Sequence, residues 1–120
     1  MTGADAPEEP RDAHARLVAE RGAVVARLAG LRGDRERFVE ASRDSNADDE
    51  HDPEGHTIAY ERSQVDTHVR LAEQRLAEID AALERLAAGG YGVCTRCGRP
   101  IPPERLAVRP AASTCVSCAV

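Results

Sequence analysis

The stretch "VDTHVRLAEQRLAEIDAALERL", residues 65–86, decides the fold of this chain. Its apolar residues recur in alternating steps of four and three, at Val65, Val69, Ala72, Leu76, Ile79, Leu83 and Leu86. A sustained repeat of about 3.5 residues is typical of a coiled coil, because it keeps one narrow apolar stripe facing a partner helix. Gly89 and Gly90 follow, and glycine commonly ends a helix. We therefore predict a coiled-coil helix from about Thr57 to Ala88.

A second helical pattern precedes this one and begins at about Asp12. Arg21 and Arg35 hold two of its seam positions, and the remaining seam positions are apolar: Leu17, Val24, Leu28, Leu31 and Phe38. Two patterned segments of similar length joined by a polar connection predict an all-α fold, an antiparallel coiled-coil hairpin with arms of ~45 Å. An intermolecular coiled coil built from the second helix alone is the alternative.

Composition limits the classes of protein that this chain can belong to. Aromatic residues make up 2% of the 120 residues and the formal net charge is −5, which disfavours a large globular core and general binding to nucleic acid. No segment approaches the ~20 apolar residues of a membrane span, and the N-terminal segment does not resemble a secretion signal. We expect a cytoplasmic protein with a tail at 1–11, a hairpin at 12–88 and a finger at 89–120.

The connection between the two helices, residues 43–56, is strongly acidic. It carries six carboxylates between Asp44 and Glu54 and no arginine over that range. Asp52 is a candidate cap for a helix that starts at Pro53, which would make the segment an ordinary solvated turn. Six like charges in a tight turn repel one another, however, so their density favours a functional tip. A second metal site that includes His51 and His56 is a less favoured alternative.

All four cysteines lie near the C-terminus as two CxxC pairs with 17 residues between them: Cys94, Cys97, Cys115 and Cys118. This pattern predicts a tetrahedral zinc site, with Gly98 allowing the backbone to turn after the second ligand. Four protein ligands leave no open position, so we expect one structural Zn²⁺. An iron site of the rubredoxin kind, a redox dithiol and disulfides are the alternatives. Nearby arginines either offset the thiolate charge or bind an acidic partner: Arg96, Arg99, Arg105 and Arg109.

The segments "YGVCTRCGRPIPPERL" (91–106) and "TCVSC" (114–118), placed after a helical hairpin with an acidic tip, resemble the DksA/TraR family of bacterial C4-type zinc-finger proteins. The resemblance implies binding to RNA polymerase, with the hairpin in the secondary channel and the tip acids near the active centre. It assigns the four cysteines to the metal. Members of the family carry two aspartates at the tip with two residues between them, and the resemblance matches Asp49 and Asp52 to this pair. In an alternative register Asp52 matches the first aspartate of the pair.

The resemblance implies a transcription regulator. We do not expect an enzyme, since neither a catalytic Ser/His/Asp arrangement nor a Gly-rich phosphate loop is present. We expect a monomer without specific DNA binding. The sequence stops two residues after Cys118, without the basic helix that helps bind ppGpp in some relatives, so ppGpp dependence is not predicted. The alternative function is a zinc-ribbon adaptor or nucleic-acid-binding module with an intermolecular coiled coil.

Overall fold

The computed structural model describes residues 9–46 and 53–119. Two long helices and one short helix make up its regular structure: α1 (Pro10–Asn46), α2 (Pro53–Ala88) and α3 (Pro103–Val108). Within the described ranges the extended backbone amounts to one isolated antiparallel bridge between Val93 and Pro100. The all-α prediction is therefore confirmed. The first helix starts two residues before the predicted Asp12, and the second starts four residues before the predicted Thr57.

The seam predicted for α2 is confirmed. Val69, Ala72 and Ile79 are buried, and the other four predicted seam residues are half-buried. On α1, Leu17 and Leu28 are buried while Val24, Leu31 and Phe38 are half-buried. Two alanines that the repeat did not single out, Ala13 and Ala82, are also buried. Their small side chains let the two helices approach closely.

The chain divides into two compact units. One unit holds residues 1–23 and 76–120, and here α1 pairs with the last three turns of α2 through an ion pair of 2.6 Å between Arg21 Nε and Asp80 Oδ1. The other unit holds residues 24–75. The predicted division at residues 12 and 88 stays a prediction.

The unit of residues 24–75 contains only helical residues within its described part. Two ion pairs link α1 to α2 in it: Arg32 to Glu73 at 3.0 Å and Arg35 to Asp66 at 2.8 Å. As the residue number rises along α1 the partner's number falls along α2, so the two helices are antiparallel. Arg21 and Arg35, which interrupt the apolar seam of α1, are thus both matched by an aspartate of α2. The helices pair within one chain, so the intermolecular coiled coil is not the arrangement found.

None of the helices in the described parts of the chain is long and apolar enough to cross a membrane. The predicted tip lies mainly outside the described residues. This applies to Asp49, Asp52 and His51, and likewise to residues 1–8 of the predicted tail.

Candidate metal centre

The first CxxC pair sits on a tight turn closed by backbone hydrogen bonds. The amide of Cys94 donates to the carbonyl of Arg99 at 2.8 Å, and the amide of Gly98 donates to the carbonyl of Cys94 at 3.0 Å. Gly98 has a φ of 76°, a left-handed conformation that side chains other than glycine rarely adopt. The predicted role of Gly98 is therefore observed, and the turn presents the sulfurs of Cys94 and Cys97 on one side.

The second CxxC pair forms a similar turn without a glycine. The amides of Cys118 and Ala119 both donate to the carbonyl of Cys115, at 3.1 and 3.0 Å. The two turns are joined directly, because the amide of Thr95 donates to the carbonyl of Ser113 at 2.8 Å. A side chain adds a second link, from Arg96 Nη1 to the carbonyl of Cys118 at 3.2 Å.

The four thiol sulfurs converge on one point. All four Sγ atoms lie within 4.8 Å of one another, and those of Cys97 and Cys115 are 3.7 Å apart. A regular ZnS₄ tetrahedron with Zn–S bonds of ~2.3 Å has sulfurs separated by ~3.8 Å. The cluster therefore fits a single zinc ion without rearrangement of the backbone. Cys94 is buried and Cys97 is exposed, so the ion would lie at the edge of the finger.

The local electric field favours thiolate at two of these positions, since backbone hydrogen bonds lower the thiol pKa of Cys94 and, through the amide of Cys118, that of Cys115. The backbone amides of Cys115 and Cys97 face the Cys94 sulfur and lower the pKa of that thiol to about 6. The opposite holds for Cys118, where hydrogen bonding with the Cys115 and Cys94 thiols raises the pKa to about 12. Four sulfurs this close cannot all ionise without a cation among them. The donor set thus needs a metal ion to be fully deprotonated, and soft thiolates suit Zn²⁺.

A small apolar core supports the cluster. Cys94 packs with Ile101, Leu106 and Ala112, and Tyr91 covers them from one side. The hydroxyl of Tyr91 donates to the carbonyl of Pro110 at 2.8 Å. A core this small is insufficient to fold a module of ~30 residues, which is why a metal is expected to contribute to its stability.

Two of the four arginines near the cluster, Arg96 and Arg105, donate side-chain hydrogen bonds to the backbone. Arg105 Nε donates to the carbonyl of Thr114 at 2.9 Å, in the segment that leads into the second CxxC turn. Arg99 and Arg109 are exposed. The sequence prediction offered charge compensation or a binding patch for these residues, and for Arg96 and Arg105 the structure adds a third role, that of holding the chain in place.

Two arginines of the long helices hold the finger, and sequence reasoning missed both. Arg16 of α1 donates through Nη2 to the carbonyls of Leu106 and Ala107, at 3.1 and 2.8 Å. These carbonyls belong to the last turn of α3, where a cation is favourable because helix C-terminal carbonyls lack partners within the helix. Arg85 of α2 donates to the carbonyl of Ala112 at 3.4 Å. The helix α3 was also missed, although Pro103 in its first turn is a recognised start signal.

Fold and site together define a class: a helical hairpin followed by a C4 zinc finger. Residues 89–120 match the family model of the prokaryotic dksA/traR C4-type zinc finger. The chain is similar in structure to transcription factor DksA2 of Pseudomonas aeruginosa, with a TM-score of 0.74 and 27% identity, over 90% of this chain and 78% of that one. Residues 89–120 are thus a C4-type zinc finger of the dksA/traR kind, and the match in fold to DksA2 supports the DksA/TraR family for the chain.

Two curated relatives match over shorter segments. General stress protein 16O of Bacillus subtilis (strain 168) is 32% identical over 84 residues, which cover 69% of this chain and 52% of that protein. An uncharacterized protein of Aquifex aeolicus (strain VF5) is 39% identical over 62 residues, or 52% of this chain and 43% of that protein. The chain therefore spans about half the length of the curated relatives it matches.

Proposed function

We propose that this protein regulates transcription by binding bacterial RNA polymerase through the secondary channel. The observation that carries the proposal is the fold, which is shared with transcription factor DksA2 over 90% of the chain. The match of residues 89–120 to the dksA/traR zinc finger supports it independently. The proposed activity is binding and regulation in the cytoplasm, without catalysis.

The proposed role of the cysteine cluster is structural. Cys94, Cys97, Cys115 and Cys118 would hold one Zn²⁺ with all four positions filled by protein, so that no site remains for a substrate or a reactive water. When bound, the ion would supply the folding free energy that the small apolar core lacks. The finger would then be held against the hairpin by Arg16 and Arg85.

The proposed regulatory groups are Asp49 and Asp52 in the acidic connection. Carboxylate oxygens are the ligands that Mg²⁺ prefers, and an acidic tip is attracted to an active centre that contains this cation and basic side chains. The attraction acts only near the active centre, so Asp49 and Asp52 would alter transcript synthesis more than they would strengthen binding to the polymerase.

A competition experiment tests the partner and a pair of variants tests the tip. Zinc-loaded protein should bind purified bacterial RNA polymerase core, and a known ligand of the secondary channel should displace it. The variant D49A/D52A should bind within a few-fold of the wild type but lose its effect on transcript output. E78A/E84A is the matched control, because it removes two carboxylates from exposed positions of α2 and should regulate normally. Binding that is not competed would refute the channel, and normal regulation by D49A/D52A would refute the role of the tip.

A further inference from the structure

The segment of residues 110–114 lies between α3 and the second CxxC pair, and donors outside the segment fix its course. No helix or strand runs through it. Arg85 of α2 donates through Nη2 to the carbonyl of Ala112 at 3.4 Å. The hydroxyl of Tyr91 donates to the carbonyl of Pro110 at 2.8 Å. The position of the second cysteine pair therefore depends partly on a side chain of the hairpin.

Arg16 of α1 holds the end of α3 from outside the finger. Its Nη2 donates to the carbonyls of Leu106 and Ala107, at 3.1 and 2.8 Å. A cation is favourable there because the last carbonyls of a helix lack partners within it. Leu106 is buried in the same apolar cluster as Cys94. A bond at the carbonyl of Leu106 therefore restrains a residue that packs with a metal ligand.

The start of α1 is buried more completely than the end of a helix usually is. Ala13 and Leu17, three positions before Arg16 and one after it, are 1% and 0% exposed. Helix ends commonly fray, because their first amides have no partner within the helix. Here this part of α1 forms one compact unit with residues 76–120. The start of α1 thus belongs to the same unit as the finger.

We propose that Arg16 and Arg85 are positioning residues for the zinc site, so that the hairpin raises the affinity of the finger for zinc. Neither side chain is a metal ligand. Because the small core of the finger is insufficient to fold it, folding of the finger and binding of zinc form one equilibrium. A contact that the hairpin makes only with the folded finger then adds its free energy to zinc binding. This proposal rests on the structural zinc proposed above and is independent of polymerase binding.

The size of the effect follows from the contacts. A hydrogen bond from a charged donor changes a folding equilibrium by roughly ten-fold or more. Arg16 is half-buried and donates to two carbonyls, so its loss should weaken zinc binding about ten-fold. Arg85 makes one longer bond, and its loss should weaken zinc binding about three-fold. Coupling between two events is reciprocal, so bound zinc should stabilise the start of α1 by the same factor.

Competition with a chelator of known zinc affinity measures this effect in the full chain. Arg16→Met keeps the apolar stem but removes the donors, and it should weaken zinc binding about ten-fold. Arg16→Lys keeps a positive charge and three N–H donors, so its zinc affinity should stay within about three-fold of the wild type. Arg27→Met is the matched control, because it removes an exposed arginine from the same helix and should bind zinc like the wild type.

Amide exchange separates positioning from a general change in stability. In the wild type, zinc should slow exchange in residues 14–23 about ten-fold and leave exchange in residues 24–46 unchanged. In Arg16→Met saturated with zinc, the protection of residues 14–23 should be lost. Exchange in residues 24–46 of this variant should match that of the wild type, which shows that the helix itself is intact.

Three outcomes would overturn the proposal, and they are distinguishable. Equal zinc affinities of Arg16→Met and Arg27→Met would refute the positioning role and leave the zinc site itself in place. Zinc that slows exchange uniformly along α1 would show a general stabilisation instead of a contact at Arg16. A wild type that does not bind zinc would refute the metal site and this proposal together. Binding to RNA polymerase enters none of these measurements.

Discussion

Replacing Gly22 and Gly30 with alanine should stabilise the folded chain. Both lie within α1, both would place a Cβ atom in open space, and neither has a positive φ. Alanine removes the conformational freedom that glycine gives the unfolded chain, which is worth about 0.5–1 kcal/mol per site. The sites are eight residues and therefore ~12 Å apart, so their effects should add to about 1–2 kcal/mol.

Urea denaturation of the zinc-loaded protein, followed by circular dichroism, measures this change. The double variant should shift the midpoint upward with an unchanged slope and raise the melting temperature by about 4–8 °C. Gly92→Ala is the matched control, because Gly92 has a φ of 83° and its added Cβ would make only an ordinary contact with Leu106. Alanine at position 92 should destabilise the folded chain by about 1–2 kcal/mol, since alanine rarely adopts a positive φ.

A destabilised or unchanged G22A/G30A variant would refute this reasoning. It would mean that α1 relies on these glycines for a bend or a contact within the chain.

Two further predictions concern the metal and the core. Removing zinc with a chelator should leave most of the helical circular dichroism, because α1 and α2 hold 37 and 36 helical residues and α3 holds 6. Amide exchange in residues 91–119 should meanwhile accelerate strongly. Retained protection of these amides would show that the finger folds without metal. Ile79→Ala should destabilise the hairpin by about 2–5 kcal/mol in urea denaturation, because this side chain is fully buried. Leu71→Ala, at a position 55% exposed on the same helix, should change stability by less than about 0.5 kcal/mol, and similar losses for both would contradict the assigned seam.

The sequence predicted those parts of the fold that depend on local periodicity and spacing. The seam of α2 could be predicted directly, because every seam position in it is apolar, and the closeness of the two sulfurs within each pair follows from the CxxC spacing. Gly98 could be assigned because a single backbone angle requires it. In each case the physical cause lies within a few residues of the effect.

The features that were missed depend on contacts between distant segments. Nothing near Arg16 in the sequence indicates that it will reach the carbonyls of residues 90 positions away. Arg21 and Arg35 looked like interruptions of an apolar seam, and their meaning became clear only when Asp80 and Asp66 were found opposite them. The helix α3 has 6 residues, Pro103–Val108, which are too few to show a helical period in the sequence.

The ion pairs between α1 and α2 restrict how the hairpin can change length during evolution. Arg32 meets Glu73 and Arg35 meets Asp66 across one interface. One residue inserted into α1 alone would turn everything beyond it by about 100° and move these arginines away from their partners. A deletion in α2 alone would do the same. Lengthening or shortening should therefore occur in whole heptads and in both helices at once, with the connection absorbing unmatched changes. Relatives with hairpins of different length should differ by paired insertions at facing positions.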